Sequence, residues 1–323
     1  MESTTDSIDE KSLGVLAGSE AAAVQIPGAR RPDRRTSLDV GGLSISRVEW
    51  GPPDAPPLLF AHGGFDFAET LNVFAPKLVE RGWRVVSWDH RGHGHSEWAQ
   101  LYSLEADIRD AAFVVESVSA ERFPLIGHSK GGAMCLQLAV LFPHKFTHLV
   151  NLDGLPSRKT MPDVAEHQRI RMVASELENW LGHRASLVDR QRPAGTIAEL
   201  AQRRGRMNTR ATTEWLQYLV TVGGRRDVDG WRWRIDPTLR MGGFGPWRPE
   251  WSMYRLPEVT MPLLAILCGE PELMGWGTRV EDVEPYLPIG AELMELAGIG
   301  HFMHIEQPDL LVQIIGSFIG DPQ

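Results

Sequence analysis

The chain has 323 residues, a formal charge of −9 and a hydrophobic fraction of 42 %. That length fits about two domain units of roughly 150 residues, or one large α/β domain with an insertion, and the ordinary composition excludes collagen, coiled coil and whole-chain disorder. The longest apolar stretches fall short of the roughly 18 residues a membrane span needs, and the acidic balance argues against nucleic-acid binding.

Residues 1–38 read as a polar, flexible leader ending in a basic run, Arg30, Arg31, Arg34 and Arg35. The opening MESTTDSIDEK has neither a basic n-region nor an apolar h-region, so a cytoplasmic protein is expected. From residue 43 the pattern changes. Strands are expected over 43–50, 57–61, 84–88, at Leu125 and Ile126, and over 146–152. Helices are expected over 68–81, 101–118 and 131–142. Strict alternation of the two argues a parallel sheet covered on both faces.

The alternation breaks near Leu155 and resumes near Met261 with strands over 263–268 and 291–296 and a closing helix over 307–318. The segment between reads as two or three helices followed by an irregular Gly/Pro/Trp stretch around 242–249. It holds six of the eleven tryptophans. It carries 18 basic and 12 acidic residues over 156–258, a net of +6 inside a chain whose remainder carries −15. Cys135 and Cys268 both sit in apolar runs and read as buried free thiols.

The sharpest local feature is Gly127-His128-Ser129-Lys130-Gly131-Gly132, between a strand and a helix. G-x-S-x-G alone is weak; its place supplies the specificity. A tight strand-to-helix turn forces unusual backbone angles on its central residue, and glycines on either side let the chain pass. The Ser129 hydroxyl needs a base, and His301 follows the last expected strand, where it would lie above the sheet. His90, His93 and His95 invite a metal reading, but they lie in a Gly-rich loop rather than on a helix face, so hydrogen bonding within that loop is preferred.

With His62-Gly63-Gly64, the run from Asp89 to Ser96, the GHSKGG turn and the run from Gly300 to Pro308, residues 43–319 resemble the α/β-hydrolase superfamily. The resemblance implies an α/β-hydrolase fold: a core of residues 39–155 and 259–323, with residues 156–258 as a helical cap after strand six. It implies an oxyanion hole from the amides of Gly64 and Lys130. It places the triad acid after the penultimate strand, at Glu272 in Gly269-Glu270-Pro271-Glu272. Asp153 after strand six is the alternative, and Glu270 a distant third. The Lys130 side chain reads as a solvated helix-start residue, with selection of an anionic substrate as the minor reading.

The expected function is a serine hydrolase of the carboxylic ester type, needing neither cofactor nor metal. Its substrate would be a small molecule with an apolar or aromatic group, suited to a cap rich in tryptophan. The same triad also serves C–C bond hydrolases, lactonases and proline iminopeptidases. A non-hydrolytic ligand-binding protein is the alternative of another class.

Overall fold

The computed structural model describes residues 24–155, 169–187, 191–239, 253 and 255–322. Its strands are β1 Arg34–Asp39, β2 Ser44–Trp50, β3 Pro57–Ala61, β4 Arg84–Trp88, β5 Phe123–His128, β6 Phe146–Leu152, β7 Gly224–Asp227, β8 Gly230–Trp233, β9 Leu263–Cys268 and β10 Glu292–Leu296. Eight form one sheet in the order β1-β2-β4-β3-β5-β6-β9-β10, and β7 and β8 form a separate pair. Pairing is antiparallel at β1–β2 and β2–β4 and parallel from β4 to β10. This is the parallel sheet that the alternation implied, in the mostly parallel arrangement that the α/β-hydrolase resemblance implied.

The central strands read as continuous apolar runs because both faces are buried. Leu59, Ala61, Val86, Trp88 and Leu125 face one layer, and Leu58, Phe60, Val85, Ile126 and Val150 face the other. The first layer is covered by α2 Leu104–Val118 and α3 Lys130–Leu141. The second is covered by α1 Phe74–Val79 and by the C-terminal helix Pro308–Ile319.

Two helix boundaries have local causes. The expected helix over 68–81 divides into a 3₁₀ turn, Ala68–Asn72, and α1. Pro76 cannot donate to the carbonyl of Asn72, four residues back, and that carbonyl accepts instead from Arg30 N–H at 2.8 Å. α2 starts at Leu104 rather than 101 because Ser103 caps it, its hydroxyl accepting from Ala106 N–H at 3.2 Å.

Arg34 and Arg35, expected in a flexible leader, belong to the sheet. Their guanidinium groups pair with buried carboxylates: Arg34 with Glu49 at 2.9 Å, and Arg35 with Glu69. Arg31 also pairs with Glu69, at 3.0 Å. Of the expected leader, residues 1–23 lie outside the described residues.

The inserted segment contributes α4 Arg169–Ser186, α5 Ile197–Gly205 and α6 Thr213–Gly223, then the β7–β8 hairpin. The hairpin was not anticipated. Its turn, Asp227-Val228-Asp229-Gly230, uses a glycine at φ 131°. The segment docks on the core: Asp236 N–H donates to Gly92 O at 2.8 Å, and Trp233 stacks on Phe67 with ring centroids 5.9 Å apart. The irregular stretch 242–249 and the tryptophans Trp247 and Trp251 lie outside the described residues. No helix among the described residues is long and apolar enough to cross a membrane.

Candidate active site

Ser129 stands between the last residue of β5 and the first of α3, with φ 53° and ψ −123°. The turn works because the residues two before and two after the serine lack side chains. A Cβ on Gly127 would lie 2.5 Å from Gly131 O, and one on Gly131 would strike the carbonyls of Ala61 and His62. Among the described residues, three non-glycine residues have positive φ: Phe65 at 56°, Ser129 at 53° and Asp153 at 46°. They follow β3, β5 and β6, three adjacent strands. Strained backbone of this kind costs on the order of 1–3 kcal/mol per residue and clusters where a site demands it.

His301 follows β10 and is 1 % exposed. Its ring Nδ1–H donates to Asp153 Oδ2 at 2.5 Å. Its backbone N–H donates to Glu272 Oε2 at 2.7 Å. Glu272 thus lies beside His301, as expected from its position, but its carboxylate is spent on the backbone. The carboxylate on the ring is Asp153, the alternative. Glu270 offers its backbone N–H to Ile299 O at 3.1 Å.

The end of β9 and the loop after it touch all three groups. Cys268 donates to Asp153 twice, through its N–H to Oδ1 at 3.3 Å and through its thiol to Oδ2 at 3.1 Å. Trp276 Nε1–H donates to Ser129 Oγ at 3.3 Å. Neither contact was read from the sequence. The available signals were a cysteine closing the strand next to β6 and a Gly-Trp-Gly run in the loop that follows.

The Lys130 side chain is not solvated at the helix start. It crosses to α2 and pairs with buried Asp107 at 2.5 Å. Among the described hydrogen bonds, the amides of Lys130 and Gly64 have no acceptor. Gly63 packs against the site: a Cβ there would lie 3.3 Å from Ser129 Cβ.

The histidine-rich loop is braced by backbone contacts. His90 Nε2–H donates to His62 O at 2.9 Å, and His62 Nε2 accepts from His90 N–H at 3.0 Å. His93 Nδ1–H donates to Arg91 O at 2.9 Å, and its Nε2 accepts from Phe65 N–H at 3.1 Å. Burial pushes His90 and His93 down to about 3, and His62 also well below its ordinary range. Asp89 accepts from Ala68 N–H and His95 N–H, both at 2.9 Å. Arg91 forms a two-pronged bond to Asp110, 2.7 Å on each arm.

The described arginines of the inserted segment are mostly paired within it or onto the core. Arg232 meets Asp227 and Asp229, Arg192 holds the carbonyls of Ile235 and Asp236, and Arg210 grips Glu306 at 2.6 and 2.8 Å. Arg204 donates to Phe65 O at 2.8 Å. Burial raises the neighbouring Asp66 carboxyl to about 6 against the opposing pull of Arg204. A cavity of about 230 Å³ beside the His301 loop is lined by Arg210, Trp215, Glu272 and Phe302 among others.

A family model described as alpha/beta hydrolase fold matches residues 56–243. The chain is 25 % identical over 317 residues to the sn-1-specific diacylglycerol lipase ABHD11 of Mus musculus, covering 95 % of this chain and 96 % of the mouse protein. It is 32 % identical over 123 residues, 36 % of its length, to a serine hydrolase-like protein of Dictyostelium discoideum. The chain spans about a third of the length of the serine hydrolase-like relatives it matches. Among solved structures, the thioesterase domain from the curacin biosynthetic pathway shares the fold with a TM-score of 0.74 at 23 % identity, over 87 % of this chain and 98 % of that one. With more than half of its length matched and the sheet order and serine turn described above, the chain belongs to the alpha/beta hydrolase fold family.

Proposed function

We propose that the chain is a serine hydrolase that cleaves a small carboxylic ester or related acyl compound through an acyl-enzyme. Ser129 Oγ attacks the carbonyl carbon. His301 takes the hydroxyl proton and returns it to the leaving alkoxide. Asp153 holds the Nδ1–H tautomer of His301 and stabilises the imidazolium that forms. The amides of Gly64 and Lys130, at the elbow, stabilise the oxyanion; a donor of this kind lowers such a barrier by about 3–4 kcal/mol. Water deprotonated by His301 then attacks the acyl-enzyme and releases the acid and Ser129. This chemistry needs neither metal nor cofactor.

The observation that carries the reading is the buried His301–Asp153 hydrogen bond together with a serine held at positive φ whose N–H donates to Leu152 O, the residue before Asp153, at 2.9 Å. The diacylglycerol lipase resemblance supports an ester as substrate. Residues 156–258 act as a cap, and Trp215, Trp233 and Phe67 give its contact with the core an aromatic character suited to an apolar acyl group. The pairing of Lys130 with Asp107 turns that cation away from substrate selection.

A fluorophosphonate probe tests this. The full chain should take up one adduct, located on the peptide containing Ser129, and Ser129→Ala should take up none. Hydrolysis of p-nitrophenyl esters of graded acyl length should likewise vanish in Ser129→Ala. Folded wild-type protein that is neither labelled nor active would favour a binding protein.

A further inference from the structure

Three side chains that the proposed reaction does not use meet beside the serine turn. Asp66 follows β3, His128 ends β5, and His304 lies three residues after His301. Each is at most 1 % exposed. One ligand-type atom from each lies within 4.8 Å of the other two. Asp66 Oδ1, His128 Nδ1 and His304 Nδ1 have no hydrogen-bond partner among the described residues. Buried polar atoms are rarely left unpaired, so three residues that each carry one and meet from separate segments of the chain point to a bound species.

The donor chemistry narrows its identity. His128 gives its Nε2–H to His301 O at 2.8 Å, so its Nδ1 carries a lone pair and no hydrogen. A Cβ on Gly63 would lie 2.9 Å from that nitrogen, so the glycine leaves space there. Asp66 Oδ2 already accepts from the Thr70 hydroxyl at 3.2 Å, which leaves Oδ1.

We propose that Asp66, His128 and His304 form a binding site for a divalent transition-metal ion of the zinc type. Metal–ligand bonds of about 2.0–2.2 Å set tetrahedral donors roughly 3.3 Å apart, so three residues whose ligand atoms already lie within 4.8 Å close on an ion by small side-chain movements. Two imidazoles and one carboxylate suit zinc-like ions, whereas magnesium and calcium prefer all-oxygen shells. Arg204 offsets the Asp66 charge, which further disfavours ions held by charge alone. The site is independent of the hydrolase reading, because its evidence is binding and not turnover.

The experiment uses the full chain freed of metal with a chelator. Zn²⁺ is titrated by equilibrium dialysis with elemental analysis, and Co²⁺ is followed in parallel by visible absorption. The expected result is one ion per chain, a raised thermal midpoint with Zn²⁺, and Co²⁺ bands of a nitrogen- and carboxylate-bound ion. Asp66→Asn and His304→Gln should each weaken binding by at least about tenfold, as even outer-shell changes do at such sites. His144→Gln, at an exposed histidine, should bind as wild type does. Substoichiometric binding, or affinity unchanged in both site variants, overturns the proposal. Should the variants fail to fold, the wild-type Co²⁺ spectrum decides: that of the hydrated ion overturns the site and leaves the cluster to a buried water. Fluorophosphonate labelling of metal-free protein reports separately on the serine chemistry.

Discussion

Asp153 Oδ2 sits 2.5 Å from His301 Nδ1 in a pair exposed by 2 % and 1 %. Glu272 approaches the same histidine from its backbone side, so two carboxylates flank one residue with different jobs. The ring partner sets tautomer and charge; the backbone partner fixes the loop. Cys268 supplies Asp153 with two donors, which orients the carboxylate towards the ring.

The Trp276 contact predicts a kinetic effect separate from folding. Its indole N–H donates to the oxygen that becomes negative as Ser129 is deprotonated. Trp276→Phe keeps most of the ring and removes the donor. The second-order rate constant of fluorophosphonate labelling should fall by about tenfold, the worth of a hydrogen bond to a charged group, while one adduct per chain is still reached. An unchanged rate constant would show that the contact plays no part in acylation.

Gly131 predicts a coupled loss. A Cβ there would meet the backbone carbonyls of Ala61 and His62, which cannot swing away as a side chain would. Relief requires displacing the strand end that carries Gly64 from the serine turn. Gly131→Ala should cost about 1–3 kcal/mol in urea unfolding and abolish labelling of Ser129. Wild-type stability with wild-type labelling would contradict the packing.

The Arg91–Asp110 pair predicts a stability effect. The partners are 6 % and 2 % exposed and joined by two 2.7 Å bonds. Arg91→Ala leaves the buried carboxylate only the longer contact with Arg109 at 3.6 Å, and breaking such a pair costs about 3–5 kcal/mol. A urea midpoint lowered accordingly supports this; one within error of wild type does not.

Acid sensitivity follows from the buried imidazoles. His90, His93 and His304 are pushed from 6.5 to about 3, and His62 and His128 also lie well below 6.5. The unfolded chain takes up these protons first. Stability is therefore full above pH 6.5 and is lost as pH falls from there towards 3, by up to about 1.4 kcal/mol per pH unit for each group. Asp66 and Asp89, raised from 3.8 to about 6, work in the opposite direction between those values. The imidazoles outnumber them, so the urea midpoint at pH 5 should be below that at pH 7.5. Equal midpoints would contradict this.

The parallel core was legible because strands buried on both faces leave uninterrupted apolar runs, as in Leu263–Cys268. The serine turn was legible because its glycines are dictated locally, by collisions within a few residues and with one strand end. The acid was not. Glu272 fits the expected motif position, but which carboxylate meets a ring depends on strand ends far apart in sequence: Asp153 is 148 residues from His301. The basic run near residue 34 looked solvated for a similar reason, since its partners Glu49 and Glu69 are set by sheet pairing and loop packing. The β7–β8 hairpin carried a local signal, an alternation of Arg and Trp after an Asp-x-Asp-Gly turn, that a helical reading of the segment overrode.

The most direct measurement compares ester hydrolysis by Asp153→Ala and Glu272→Ala under the same conditions. With Asp153 on the imidazole, its removal should lower kcat by about 10³- to 10⁴-fold, the scale typical for loss of a triad acid, and the Glu272 change should stay within about tenfold. If Glu272→Ala abolished turnover and Asp153→Ala preserved it, the proposed triad would be wrong.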